Sequence, residues 1–171
     1  SAATVVLNHH QRFDGTGWPP RQAPGAAKLI HPSGSAIHVF SRIVSAANVL
    51  DNLLTSEADG ASARALALFA SPRFDGWFDP VVRRAALRAV PPFSVGSKVT
   101  LSDGTTAVVV TPNRDAPCLP AVRDLESKQN IDLVSDEQKR RIVQAGSVDV
   151  KDVYYEVPTV AQAMDQRREA A

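Results

Sequence analysis

A chain of 171 residues suits one domain, or one domain with an appendage. With 44% hydrophobic and 22% charged residues its composition is that of an ordinary globular protein, and no apolar run approaches the roughly 18 residues of a membrane span. The formal net charge of +1 argues against the electrostatic footprint of a nucleic-acid binder, and a lone cysteine, Cys118, excludes an intrachain disulfide and any Cys-rich zinc site.

In chain order, Ala3–Asn8 reads as the last turns of a helix whose beginning is absent. This start, which shows no signal-peptide pattern, predicts that the chain is the C-terminal part of something longer. Residues 20–36 read as loop, punctuated by Pro20, Pro24, Gly25, Pro32 and Gly34. Ile37–Leu54 has the clearest helical period. Ile37, Phe40, Ile43, Val44, Ala47, Leu50 and Leu54 make its apolar face, with Ser41, Arg42, Ser45, Asn48 and Asn52 on the flanks. A second helix is predicted from about Ala61 to Ala70, closed by Ser71-Pro72. Asp79-Pro80 opens a third, Val81–Val90, because Asp suits the N-cap and Pro the first turn.

The pattern then changes. Lys98–Leu101 and Ala107–Val110 alternate around Asp103-Gly104, a strong hairpin signal. Ala121–Leu125 reads as a third strand, and Ser135-Asp136-Glu137 as the cap of a short helix through Ala145 that Gly146 stops. Val148–Val157 reads as another strand, and the tail from Thr159 as helical or frayed. Cys118, set between prolines, reads as a surface or half-buried thiol rather than a nucleophile, and it fits a reducing, cytoplasmic setting.

The most chemical stretch is His9-His10-Gln11-Arg12-Phe13-Asp14-Gly15-Thr16-Gly17-Trp18-Pro19. Two adjacent imidazoles at a helix end can bind one metal ion, or one each of two neighbouring ions. Gly15 and Gly17 can take positive φ and Pro19 stiffens the exit, which predicts a tight loop folded back over the histidines. The string resembles the HHExxDGxGYP signature of the HD-GYP family, bacterial phosphodiesterases that linearise cyclic di-GMP. Gln11 stands where that family has Glu, and Trp18 where it has Tyr. Ile37–Asp51 looks like the family's next helix, Phe78–Val82 is similar to its final helix, and Pro92–Gly104 looks like a β appendage seen after many such domains.

The resemblance implies, for the intact protein, two or three iron or manganese ions that activate water against a phosphodiester, with His9 and His10 as metal ligands; in this chain the ions are expected to be absent or weakly bound. It implies that Asp14, Gly15, Gly17, Trp18 and Pro19 form the substrate wall and that Trp18 packs on a guanine. Arg42 is a further substrate-side candidate, with a structural ion pair as its plainer reading. Asn48 stands where the family has a metal-binding Asp, and an amide is a poorer ligand for a divalent ion than a carboxylate. The loop before this helix is about ten residues longer than the family spacing. The family's Arg-containing segment after the helix is replaced by Leu54–Gly60, where Glu57 and Asp59 would repel a dianion. The His-Asp pair that names the HD domain is not in the chain; a complete domain would require roughly 150 residues before Ser1, and a His-Asp pair there would favour an enzyme.

The plainer readings are surface polarity for His31 and His38, a core cluster for Phe74, Trp77 and Phe78, and a solvated face for Arg83, Arg84 and Arg88. The expected fold is mainly α, a partial HD-domain-like helical bundle over residues 1–92. A small antiparallel β module with a helical tail follows over 93–171. The expected function is HD-GYP-type hydrolysis of cyclic di-GMP by the intact parent, the chain alone being inactive. Cyclic dinucleotide and GGDEF-type or other signalling proteins are the expected partners, while the oligomeric state stays open. The alternative is a degenerate signalling or interaction module without catalysis, and a third is an HD-type phosphohydrolase acting on another phosphoester.

Overall fold

The computed structural model describes residues 2–22, 25, 28–56 and 62–169. Among these are five α-helices, a six-stranded antiparallel sheet and a two-stranded one, so the fold is mixed rather than mainly α. The chain divides into two compact units, each drawing on separated stretches: residues 1–52, 72–86 and 158–171, and residues 53–71 and 87–157. The sequence reading divides the chain once, at 92/93, by type of secondary structure; compactness follows a different division.

The first unit starts with α1, Ala2–Asn8, and carries His9 and His10 directly after it. The expected loop at 20–36 holds more structure than its prolines suggest. Strands β1, Arg21–Gln22, and β2, Leu29–Ile30, pair antiparallel, and Gly34–Ala36 forms a 3-10 turn. Helix α2, Val39–Ser56, forms as predicted, but of the expected apolar face only Ile37, just before it, and Leu50 are buried. Phe40, Ile43 and Val44 are 60%, 46% and 39% exposed, whereas Ser41, Arg42, Ser45, Ala46 and Leu50 are buried. Apolar periodicity misplaces the face because two of the buried polar groups have partners that lie far away in sequence. Ser45 Oγ donates to the Gln11 carbonyl at 3.3 Å, and Arg42 pairs with Asp79.

Helix α3 is Ser62–Ala70, and Ala61, its expected first residue, lies outside the described residues. Helix α4, Pro80–Ala89, starts as read: Asp79 Oδ1 accepts the Val81 N–H at 2.9 Å, with Pro80 in the first turn. The expected solvated arginine face is instead tied down. Arg83 pairs with Asp75 at 2.9 Å, Arg84 Nε donates to the Pro158 carbonyl at 2.7 Å, and Arg88 pairs with Asp115. The tail ends in α5, Val160–Glu169, capped reciprocally by Thr159 and Gln162.

In the second unit the strands are β3 (Lys98–Leu101), β4 (Thr106–Thr111), β5 (Ala121–Asp124), β6 (Asn130–Asp132), β7 (Ile142–Ala145) and β8 (Val148–Asp149). Their sheet order is β6-β5-β4-β3-β7-β8, with all pairs antiparallel. The β3–β4 hairpin turns at Asp103-Gly104, where Gly104 takes φ +89°, a conformation that suits glycine. Val99, Leu101, Ala107, Val109 and Val122 alternate onto one face and build the core with Phe93, Leu133, Ile142, Val148 and Val150.

Two expectations fail here. Residues 135–145 form no helix. Ile142–Ala145 pairs with β3 instead, because Ile142 is an apolar residue that the sheet core can bury, and Gly146 turns β7 into β8. The strand expected over Val148–Val157 stops at Asp149. Cys118 is buried, 5% exposed, rather than at the surface or half-buried; its thiol meets the Tyr155 carbonyl at 3.7 Å, and burial pushes its pKa up.

Asp136, expected to cap a helix, instead anchors a loop. Its carboxylate accepts from the Arg140 side chain at 2.7 and 3.0 Å and from the Arg140 backbone N–H at 2.9 Å. These hydrogen bonds favour the charged form and hold its pKa at about 2, below the ordinary aspartate value. A folded-state pKa that is lowered contributes stability above the ordinary value. That contribution is lost as pH falls from about 4 toward 2. A carboxyl-carbon NMR titration is expected to place the Asp136 midpoint near this low value, and Arg140→Gln should raise it. An unmoved midpoint in the variant would refute the assignment to Arg140.

Candidate functional site

The loop from His9 to Pro19 is closed by its own backbone. Trp18 N–H donates to the His10 carbonyl at 3.1 Å, Gln11 N–H to Asn8 at 3.0 Å and Gly15 N–H to Arg12 at 3.0 Å. The loop is stitched to the turn before α4 by Phe13 N–H to Trp77 O and Asp14 N–H to Gly76 O, both at 2.9 Å. Phe13, 2% exposed, anchors it, and the Trp18–Pro19 peptide is cis.

The expected positive φ is present at Gly15, +81°, but not at Gly17. Gly17 is needed for a different reason. A Cβ there would lie 2.2 Å from Arg12 N and 2.6 Å from Gln11 Cα, so the loop can close only around a hydrogen. Gly76, at φ +79°, takes a backbone conformation that suits glycine, and a Cβ there would press on the Asp14 side chain, 2.8 Å from Oδ2.

A cavity of about 230 Å³ opens over this loop. His9, His10, Arg12, Thr16, Gly17 and Trp18 line it from the loop, Ser45, Asn48 and Val49 from α2, and Trp77 and Phe78 from the turn before α4. The structure thus brings together His9, His10, Asn48, Gly17 and Trp18 from the residues proposed by sequence. Asp14, Gly15, Pro19 and Arg42 are not in the wall. Asp14 supports it: its Oδ1 accepts from Thr16 N–H at 2.8 Å and Thr16 Oγ1 at 2.7 Å, an Asx turn that sets the loop. Pro19 supports it through its carbonyl, which accepts from the Gln11 side chain. The Arg42 guanidinium is spent on Asp79. His31, although exposed, contacts the Gly17 carbonyl through Nδ1 at 3.0 Å, and His38 receives the Phe40 N–H. Glu57 and Asp59 lie outside the described residues.

Arg12 and Thr16 are wall residues that sequence reasoning missed. Arg12 sits at a variable position of the signature, where only its charge marks it. Its guanidinium carbon lies 3.3 Å from the Trp77 ring centroid, a cation–π stack. Trp77 also packs edge-on against Phe74 at 5.0 Å, so it serves both the aromatic cluster read from sequence and the cavity wall.

Iron or manganese, which the resemblance implies, needs several protein ligands per ion. The donors here are two imidazoles, whose rings lie 3.9 Å apart, and the Asn48 amide. His9 Nδ1 is already 2.6 Å from the Val6 carbonyl, which leaves Nε2. Among the described residues no three His, Cys, Asp or Glu side chains converge. This donor set does not fill a divalent-ion site.

Gln11 is 2% exposed, and its Nε2 donates to the Pro19 carbonyl. The family's Glu, when ionised, has no proton to donate there. Gln11→Glu is therefore expected to loosen the loop by about 1–3 kcal/mol, as the part-buried Pro19 carbonyl loses its donor and a carboxylate takes the buried Gln11 position. The readout is faster hydrogen exchange at the Trp18 amide. Unchanged exchange would show that the amide does not hold the loop.

No protein-family profile matches the chain, and no solved structure matches it. The chain is 31% identical over 147 residues, 81% of its length, to the cyclic di-GMP phosphodiesterase PA4108 of Pseudomonas aeruginosa. That alignment covers 33% of the relative, so the chain spans about a third of the length of the curated protein it matches. No helix among the described residues is long and apolar enough to cross a membrane.

Proposed function

We propose that this chain is the nucleotide-facing part of an HD-GYP-type phosphodiesterase and that the intact parent hydrolyses cyclic di-GMP to a linear dinucleotide. One observation carries the reading: the loop that bears the signature folds over a cavity shared with the Asn48 face of α2. The likeness to a protein named as a cyclic di-GMP phosphodiesterase supports the substrate class. His9 and His10 would contribute two ligands to the parent's iron or manganese centre, and the chain alone would be inactive. In the parent, signalling proteins of the GGDEF type are candidate partners on the same ligand.

A second reading is a module that binds the dinucleotide or a partner without hydrolysis. The cavity wall favours it, since Asn48 stands where a carboxylate ligand would and the other lining residues include no acid. Metal content and linear product decide between them. The intact parent and the 171-residue chain are each loaded with manganese or iron under reducing, anaerobic conditions and freed of excess ion. The parent is expected to hold metal and to release linear dinucleotide, and the chain to match its His9→Ala/His10→Ala control. A parent without metal or product sustains the second reading. Product from the chain above that control overturns its inactivity.

A further inference from the structure

We propose that this cavity binds a guanine nucleotide directly through its phosphate, on Arg12 and the neighbouring side-chain donors, and that the chain needs no metal ion to do so. The identity of the nucleotide rests on the dinucleotide reading above; the manner of binding departs from it.

The first argument is the charge of the wall. Its polar lining consists of two imidazoles, one guanidinium, the Thr16 and Ser45 hydroxyls and the Asn48 amide. None of these is an acid. The nearby carboxylates are committed elsewhere: Asp14 holds Thr16, and Asp79 holds Arg42 and the Val81 N–H. A divalent cation would face the permanent charge of Arg12 with no carboxylate in the wall to offset it. An anion would find the Arg12 fork, the imidazoles and the Asn48 amide, the Thr16 and Ser45 hydroxyl protons being directed at Asp14 and the Gln11 carbonyl.

The second argument is the state of Arg12. Its guanidinium carbon lies 3.3 Å over the Trp77 ring, which restrains the guanidinium. Among the described residues its other polar contact is long, 3.4 Å to Thr16 Oγ1, and the Thr16 hydroxyl proton is directed at Asp14. The edge N–H groups are therefore oriented and weakly used, and their fork matches phosphate oxygens.

The third argument is an aromatic surface at the rim. Trp18 is 66% exposed although it belongs to the cavity wall, and an indole face there can stack a purine. The cavity, at about 230 Å³, lies below the roughly 300–1,000 Å³ usual for a site that encloses its ligand. It therefore suits one phosphate and its base, and a cyclic dinucleotide would seat one of its halves there.

The test uses the 171-residue chain in EDTA, titrated with GMP, guanosine, inorganic phosphate and cyclic di-GMP. Calorimetry and tryptophan fluorescence read binding; both tryptophans of the chain line the cavity. GMP and cyclic di-GMP are expected to bind saturably, and guanosine about tenfold or more weaker, the ratio typical of one hydrogen bond to a charged group. Arg12→Ala should weaken GMP by a similar factor, and Arg12→Lys should recover only part, because charge returns without the fork. Trp18→Ala removes an exposed side chain and should erase the preference for GMP over inorganic phosphate. Binding of cyclic di-GMP that appears only with added manganese overturns this proposal and leaves the dinucleotide reading intact. GMP bound in EDTA without any binding of cyclic di-GMP sustains the proposal and counts against the cyclic dinucleotide as a ligand of this chain by itself, while hydrolysis by the parent is decided by the metal and product assay above. Guanosine as tight as GMP, or an Arg12→Ala affinity equal to the parent chain's, overturns the proposal outright.

Discussion

Asp79→Ala is expected to lower the stability of the unit built from residues 1–52, 72–86 and 158–171 by about 3–5 kcal/mol, the cost of breaking a buried ion pair from one side. Asp79 is 2% exposed and does three jobs. It pairs with Arg42, lies 3.5 Å from Arg167 Nε, and caps α4 through Val81 N–H. Its removal leaves the Arg42 guanidinium, itself 9% exposed, as a buried charge without its carboxylate, with an Nε that has no hydrogen-bond partner even in the parent chain. Asp79→Asn keeps an oxygen for the cap and should cost less. Replacing both Arg42 and Asp79 by apolar residues of similar volume should recover much of the loss, since both desolvation penalties then vanish. Denaturant unfolding followed by tryptophan fluorescence measures this unit specifically, because Trp18 and Trp77 both belong to it. A change within the roughly 0.5 kcal/mol of an ordinary surface substitution would refute the central role of the pair.

Gly17→Ala is expected to open the signature loop and abolish ligand binding in the cavity. A methyl group at position 17 would lie 2.2 Å from Arg12 N and 2.7 Å from the Gln11 carbonyl carbon. Both are backbone atoms, so no rotamer change relieves the clash, and the loss belongs at or beyond the upper end of the 1–3 kcal/mol typical of overpacking, about 3 kcal/mol or more. Displacement of Gln11 and Arg12 also breaks the closure from Trp18 N–H to His10 and carries Arg12 off Trp77. Gly104→Ala is the control. It imposes a left-handed backbone on alanine, at roughly 1–2 kcal/mol, but nothing lies within 4 Å of the new methyl. Fluorescence titration with GMP and amide exchange across residues 9–19 provide the measurement. A Gly17→Ala chain that keeps slow Trp18 exchange and parent-like affinity would show that the close approach is dispensable.

These two sites differ in how legible they were. Gly17 stood in a recognisable string, and its need for glycine could be stated from the sequence, although for a φ angle it does not adopt. The Arg42–Asp79 pair spans 37 residues and has no local pattern. Locally Asp79 reads as a cap, and Arg42 as a substrate-side candidate whose plainer reading is a structural ion pair; the ion pair is what forms, with a partner that no local pattern names. Arg12 passed unnoticed because its partner, Trp77, lies 65 residues away in sequence, beyond any helical or strand period.

The sequence by itself determined the elements whose signals are local. The Asp79-Pro80 start of α4, the Asp103-Gly104 hairpin, the existence of α2 and the turn after His9-His10 all depend on propensities and capping within a few residues. The tertiary structure alone decided what depends on distant partners. It selected the polar face of α2 for burial, since Gln11 and Asp79 supply the partners that let Ser45 and Arg42 leave water. It drew residues 142–145 into the sheet against a local helix signal, because a strand edge satisfies their backbone and the core takes Ile142. The composition of the cavity wall was decided in the same way: three segments meet there, and the balance of donors and acids is set by their convergence, which no single segment encodes.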